Sequence, residues 1–508
     1  VAVGTDGDVR ALCGPRTRTV GCGGATVVPG LVDAHAHPFW GARATRGADL
    51  GGARTLDDVR HLLRAERARG TGGAWVLGHG LRRRVFAGTA VRGDALAAAV
   101  GGAPVFATFA DGHGAVATPE ALRRAGVTGP RAFPDASEIV CDGDGAPTGE
   151  LREPSAMEAV RAAIPPLTAA ARRALYAATL HRLAAGGLTG VHVMDSDPDV
   201  LDDLAALERD GALPLRVVLA LWQQPGDGED GAARTLADAR RSGRLWRTGA
   251  AKFFLDGVVG SGTAWLREPD ARGRPGAPFW TDPEAYRRRL HRLAAAGVAC
   301  ATHAIGDAAV ACALDVLAAA PAAPPVEGRV VRHRIEHLEL VDPADVPRVA
   351  AAGAVASMQP AHLAGAVGED GHALAALLGP ARVAGAWPAG DLARAGAVLA
   401  LGSDWPVAPA DPLLGMAWAR LRRPPGRPDV APHGPGQRLG AEEALAGYTA
   451  GPAWAAGEEH RAGRIAPGRR ADLTLLAADP VEVEADALPD VGVRGTVVDG
   501  RLHGAGPW

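Results

Sequence analysis

Lys252 is the only lysine in the chain; every other member of the 54 Lys+Arg total is an arginine. Where arginine serves every other cationic position, a surviving lysine points to chemistry that a guanidinium cannot do. A buried amine can lose its proton, whereas guanidinium stays charged. The free amine can attack a carbonyl, form a Schiff base, or take up CO2 and become a carboxylate-bearing anion that bridges metals. Its setting in GAAKFFLDG reads as a buried strand, against the alternative of a leftover surface lysine. Other ligand-type residues end apolar runs in the same manner: His35 and His37 in VDAHAHP, His303 in CATHAIGD, His337 in HRIEHLE and Asp404 in LALGSDWP. Two residues apart on a strand, His35 and His37 share a side and can hold one divalent metal. Such a pair alone could equally be surface polarity, and each single histidine a satisfied core residue. Six ligand-type residues at strand ends are hard to obtain by accident, because buried unpaired polar groups are costly.

The elements that must position them are short apolar strands separated by Ala/Leu/Arg-rich helices. Strands are predicted at 30–35, 188–194, 215–221, 250–255, 297–303, 331–337, 354–359 and 398–404. Helices are predicted near 168–187, 198–210, 232–242, 282–296, 306–320, 343–352 and 388–396. Eight alternating units predict an α/β fold, a (β/α)8 barrel whose chemistry sits at the C-terminal strand ends. Residues 1–28 and 460–508 carry alternating stretches (VAVGTDGDVRAL, ADLTLLAAD, GTVVDGRL) that predict one small β-sandwich domain built from both termini. The barrel then takes 29–55 and 165–459, and 56–164 is an insertion after strand one, over the barrel mouth. The Pro/Gly-rich stretch 421–440 reads as a long loop in lid position.

Composition narrows the function classes. A formal charge of −3 with 47% hydrophobic and 22% charged residues is ordinary for a soluble globular protein. Without a basic block, nucleic acid is not an expected partner. The five cysteines form neither CxxC pairs nor a disulfide-like spacing, and read as small hydrophobes in a reducing cytoplasm. Neither a membrane span nor a secretory leader is visible, although Val1 opens in what reads as mid-strand, as if the N-terminus were truncated.

The chain resembles the amidohydrolase superfamily, within it the family 3 branch of metal-dependent hydrolases that includes N-substituted formamide deformylases. The resembling segments are PGLVDAHAHP, DGH (111–113), PTGELRE (147–153), KFFLDG (252–257), HAIGD (303–307), RIEHLE (334–339), GSDWP (402–406) and GRIAPGRRADLTLL (463–476). The resemblance runs nearly end to end. It implies a barrel with a terminal β-sandwich and two divalent metals of the Zn type. His35, His37 and Asp404 would hold the buried metal, and His303 and His337 the exposed one. Lys252, carboxylated by CO2, would bridge both. A shared metal-bridged hydroxide would then attack a carbonyl, with Asp404 moving the proton to the leaving nitrogen. The implied substrate is a small amide or formamide, and a homo-oligomer is a superfamily expectation.

His113 and Glu153 are expected either to touch substrate or merely to pin the insertion. Trp405 would either wall the pocket or pack. Asp256 is read as orienting the strand-four loop, and His79, His192 and His333 as structural. Glu336 should point away from the site by strand alternation. Three departures lie in the insertion: Phe109 stands where the family carries an Arg before DGH, Leu81-Arg82-Arg83 replaces a Trp-Asp, and GAVATPE lacks a following Asn. They touch specificity and leave the metal set intact. Other readings are a deaminase or cyclic-amide hydrolase on a mononuclear site, a non-catalytic metal-binding barrel, or a Schiff-base lyase. The bridging lysine disfavours the first, the complete ligand set the second, and four otherwise idle histidines the third.

Overall fold

A computed structural model describes residues 2–17, 19–70, 75–133, 135, 137–194 and 199–504. The first residue of the predicted helix 198–210 and the end of the terminal stretch beyond 504 lie outside the described residues.

Eight parallel strands form the central sheet: β1 Leu31–Ala36, β2 Leu188–Val193, β3 Arg216–Trp222, β4 Trp246–Phe254, β5 Ala299–Ala304, β6 Arg334–His337, β7 Val355–Met358 and β8 Leu399–Leu401. Consecutive strands pair in order from β1 to β8. The near-continuous apolar runs have a physical reason: helices cover the outer face and side chains fill the inside, so both faces are buried. LTGVHV in β2 and ACATHA in β5 are buried at every position. The surrounding helices start on polar caps. Thr168 accepts from Ala171 N before Ala169–Ala185, and Asp411 accepts from Leu413 N and Leu414 N before Pro412–Leu421.

Closure between β8 and β1 lies beyond the last ladder residue of β8. Asp404 N donates to His35 O (2.7 Å), and His37 N donates to Trp405 O (2.8 Å). The seam that shuts the barrel is thus made by the predicted metal-binding segments themselves.

A second, antiparallel sheet joins the termini, in the order Thr26–Pro29, Leu473–Leu476, Val493–Val498 and Arg501–His503. VAVGTDGDVRAL is not part of it. Its centre is the short helix Asp6–Arg10, capped reciprocally by Thr5 and Asp8, with no buried residue. The alternation of that segment has no partner strand to satisfy, so the local capping box decides its conformation.

The segment between β1 and β2 builds a six-stranded sheet of its own, from Ala48–Asp49 through Pro147–Arg152, with two separate apolar cores. The stretch 421–440 is largely loop, but it is strapped down rather than free-standing. The Arg422 guanidinium donates to the carbonyls of His433, Trp387 and Ala386, and Gln437 bonds Asp391. Among the described residues no helix is long and apolar enough to cross a membrane.

Candidate metal centre

The seam is held by a buried acid. Asp33 accepts from His35 N (3.1 Å), Ser403 N (3.0 Å) and Ser403 Oγ (2.5 Å). Burial pushes its carboxyl up to about 6 against those hydrogen bonds. Gly402 admits no side chain there, since a Cβ would lie 2.5 Å from His35 N and 2.8 Å from Asp33 Oδ1. Asp404 then turns inward through a left-handed conformation (φ 61°). Its Oδ1 lies 3.3 Å from His35 Nε2 and 2.9 Å from His37 Nε2. All three residues are buried, and their ligand atoms lie within 4.8 Å of one another. Burial pushes the Asp404 carboxyl up, but His35 and His37 hold it well below the usual carboxylate range.

Below this triad lies a layer that alternation misread. Glu336 does not point away: its Oε2 meets His35 Nδ1 at 2.6 Å. The strand pattern fails because His337 and Leu338 both take positive φ (76° and 50°), so the chain twists as β6 ends. Arg334 grips both Glu336 oxygens and also donates to Ala34 O and Ser357 Oγ, each at 2.6 Å. His192 Nδ1 lies 3.0 Å from Arg334, a structural place for that histidine. His333 is structural too, accepting from Cys300 N. With Nδ1–H committed to Glu336, His35 presents the lone pair of Nε2, which a metal needs.

Lys252, His303 and His337 line the other side. Lys252 is fully buried, with Nζ 4.8 Å from the Phe254 ring centroid, and His303 stacks on the same ring at 4.4 Å. His337 lies between His303 (4.4 Å) and His35 (4.8 Å), centroid to centroid. Burial holds both His303 and His337 well below the usual imidazole value, so they stay neutral, the metal-binding form. His35 Nε2, His303 Nδ1 and His337 Nδ1 are buried without hydrogen bonds in the structure. Orphaned imidazole nitrogens beside a carboxylate fit divalent cations of the Zn type. Asp256 orients the loop after β4, accepting from Trp265 N, Ile305 N and Gly306 N, and its Oδ1 lies 3.7 Å from His303 Nε2.

His113 and Glu153 meet beside the cluster. Glu153 Oε2 lies 2.8 Å from His113 Nδ1, Thr263 donates to Oε1, and the His113 ring is 6.0 Å from that of His303. Burial opposes the imidazolium, yet the charge and hydrogen bond of Glu153 raise His113 to about 9. Trp405 packs at the seam. Its ring abuts Gly41 and faces the Arg182 guanidinium at 5.8 Å, on the helix layer. At the departures in the insertion, the Arg83 guanidinium lies over the Phe109 ring (4.1 Å) and pairs with Glu150. Two residues escaped the sequence reading, Glu339 and His362, whose ligand atoms group with that of His337. Neither ends a strand; the signal available was the acid two places after His337 and the histidine in MQPAHLAG.

A closed parallel barrel with this donor set at its C-terminal rim defines a metal-dependent hydrolase. The chain belongs to the amidohydrolase family, whose model matches residues 18–503. It is 28% identical over 496 residues to an amidohydrolase of Bacillus subtilis, covering 96% of this chain and 90% of the relative. It is 28% identical over 527 residues to N-substituted formamide deformylase of Arthrobacter pascens, covering 99% and 92%. A crystal structure of a metal-dependent hydrolase from Pyrococcus horikoshii superposes with a TM-score of 0.71 at 26% identity, covering 91% of this chain and 88% of that one.

Proposed function

We propose that the protein hydrolyses a non-peptide C–N bond, in an amide or formamide-type small molecule, at a centre of two divalent metals of the Zn type. The observation carrying this reading is the buried His35–His37–Asp404 triad facing orphaned imidazoles around the single lysine. His35, His37 and Asp404 would hold one metal, His303 and His337 the other, with carboxylated Lys252 between them. When bound, the pair supplies Lewis acidity that lowers the pKa of a shared water and polarises a carbonyl oxygen. Asp404, kept ionised by its histidines, takes the proton of the attacking water and delivers it to the leaving nitrogen. The His113–Glu153 pair offers a cationic donor beside His303 for the substrate's polar group. The likeness to N-substituted formamide deformylase supports a formamide. The reading places the enzyme in the cytoplasm, with a barrel, a small β domain drawn from both termini, and the segment between β1 and β2 as an insertion covering the mouth.

Metal content per chain, measured on protein purified with bicarbonate and limiting Zn2+, tests the centre. About two metals are expected, falling to one or none in Lys252→Arg. One metal or none in both proteins would favour a mononuclear deaminase or a non-catalytic barrel. Release of amine and acid from N-substituted formamides tests the bond.

A further inference from the structure

The end of the barrel opposite the proposed metal centre holds a cavity of about 310 Å3, lined by Arg240, Arg247, Arg329 and Arg332 and by no carboxylate among the described residues. It opens where β4 begins. Gly249 in its wall precedes Lys252 by three residues, which at about 3.3 Å each puts Lys252 roughly 10 Å further along the strand. We propose that this cavity binds a small molecule through an anionic group, a phosphate or a carboxylate, at a site separate from the metal centre. None of the metal ligands proposed above lines it, so the inference stands apart from the hydrolase reading.

Local sequence builds the site. Val326 and Arg329 bond reciprocally across a two-residue turn in which Glu327 and Gly328 both take positive φ (50° and 74°). The chain leaving that turn lines the cavity with Arg329 and Arg332. In β4 the register against β3 shifts at Gly249, which has no opposite residue: Thr248 pairs with Leu219 and Ala250 with Ala220. A Cβ at Gly249 would lie 3.0 Å from Arg247 Nη1, so the missing side chain leaves room for that guanidinium.

The charges do not balance. Glu458 is shared by Arg247 (3.3 Å) and Arg470 (2.7 Å), and Glu459 is taken by Arg332 (2.6 Å). Arg329 has only Glu327, whose side chain is 62% exposed, and a pair so open to water is weak. Arg240 is exposed and has no ion pair among the described residues. Five guanidinia therefore face three carboxylates around one enclosed space. Burial holds Arg247 below its usual value, and the charges of Arg329 and Arg470 push the same way against Glu458. An anion in the cavity would relieve that repulsion, and guanidinium forks suit phosphate and carboxylate alike. The volume falls at the lower end for small-molecule sites, roughly 300–1,000 Å3. Exposed Val330 in the lining, with Trp454 beneath the Arg332 guanidinium (3.6 Å), offers apolar surface for the rest of the ligand.

The test titrates the full chain, with its metals as purified, by calorimetry at fixed ionic strength, using pyrophosphate and benzoate as probes. Wild type should bind at least one of them in the millimolar range or tighter. Arg329→Gln should weaken that binding roughly tenfold, and Arg240→Glu, at an exposed position, roughly threefold; Tm without probe checks the fold of each. Tighter binding of pyrophosphate would assign a phosphate ester, and tighter binding of benzoate a carboxylic acid. Metal centres also take up anions, so the variants decide. Equal affinities in wild type and both folded variants would place the binding elsewhere and overturn the proposal, as would no binding of either probe. Should Arg329→Gln fail to fold, Arg240→Glu decides alone.

Discussion

Glu336 and Arg334 are buried opposite charges that set the tautomer of His35, a proposed metal ligand, from beneath. Glu336 is fully buried and Arg334 nearly so, and the carboxylate is divided between the guanidinium and His35 Nδ1. Removing one member leaves the other charged and unmatched, which costs about 3–5 kcal/mol. Glu336→Gln should therefore lower the stability of the metal-free protein by that order in urea unfolding. Separately, it should weaken metal binding by roughly 10–100-fold, because His35 loses its orienting carboxylate; competition with a chromogenic chelator reads this. His113 gives a pH signature of opposite origin. Its folded value, about 9, lies above the ordinary 6.5. The stabilisation it brings is complete below the ordinary value and is lost as pH rises through the folded one. Wild type should lose stability relative to His113→Gln between about pH 6.5 and about pH 9.5, measured by Tm; parallel pH profiles would refute the ion pair.

At the scale of elements, the segment Gly402–Asp404 does more than its length suggests. It leaves β8 and bonds across to β1, with no space for a side chain at 402. Gly402→Ala should force His35 and Asp33 apart and destabilise the fold by about 1–3 kcal/mol. A measurable fall in bound metal should follow, since the same shift spoils the triad; unchanged metal content would contradict this. The same segments explain what could be read beforehand. All eight strands were legible because strands buried on both faces spell apolar runs, and the residues ending those runs cluster at one rim. Glu336 was misread because alternation presumes extended backbone, which β6 abandons at His337. Glu339 and His362 were invisible to a reading that looked for ligands only at strand ends. Trp405 was ambiguous because sequence does not tell which way a residue after a tight turn will face. The N-terminal alternation misled for want of a partner strand, something no local pattern encodes.

At the scale of the molecule, burial is distributed unevenly between the two termini. The segment before Thr26 contributes a small exposed helix with no buried residue, whereas Leu473–Leu476 sits inside a sheet and Thr474 bonds back to Leu31 N and Gly187 O. Deleting residues 1–20 should change unfolding free energy by no more than about 0.5 kcal/mol, whereas deleting 473–504 should abolish cooperative unfolding. Denaturant melts of both truncations check this contrast.

The barrel seam joins groups 370 residues apart along the chain, Asp33 with Ser403, directly beneath the triad. A growing polypeptide makes its first strand early and its last strand late, and the ribosome must pass Asp404 before the triad has its third member. Until then His35 and His37 are only an open pair, with no acid to close a coordination shell. The triad proposed to hold one metal is therefore complete only once residue 404 has been made.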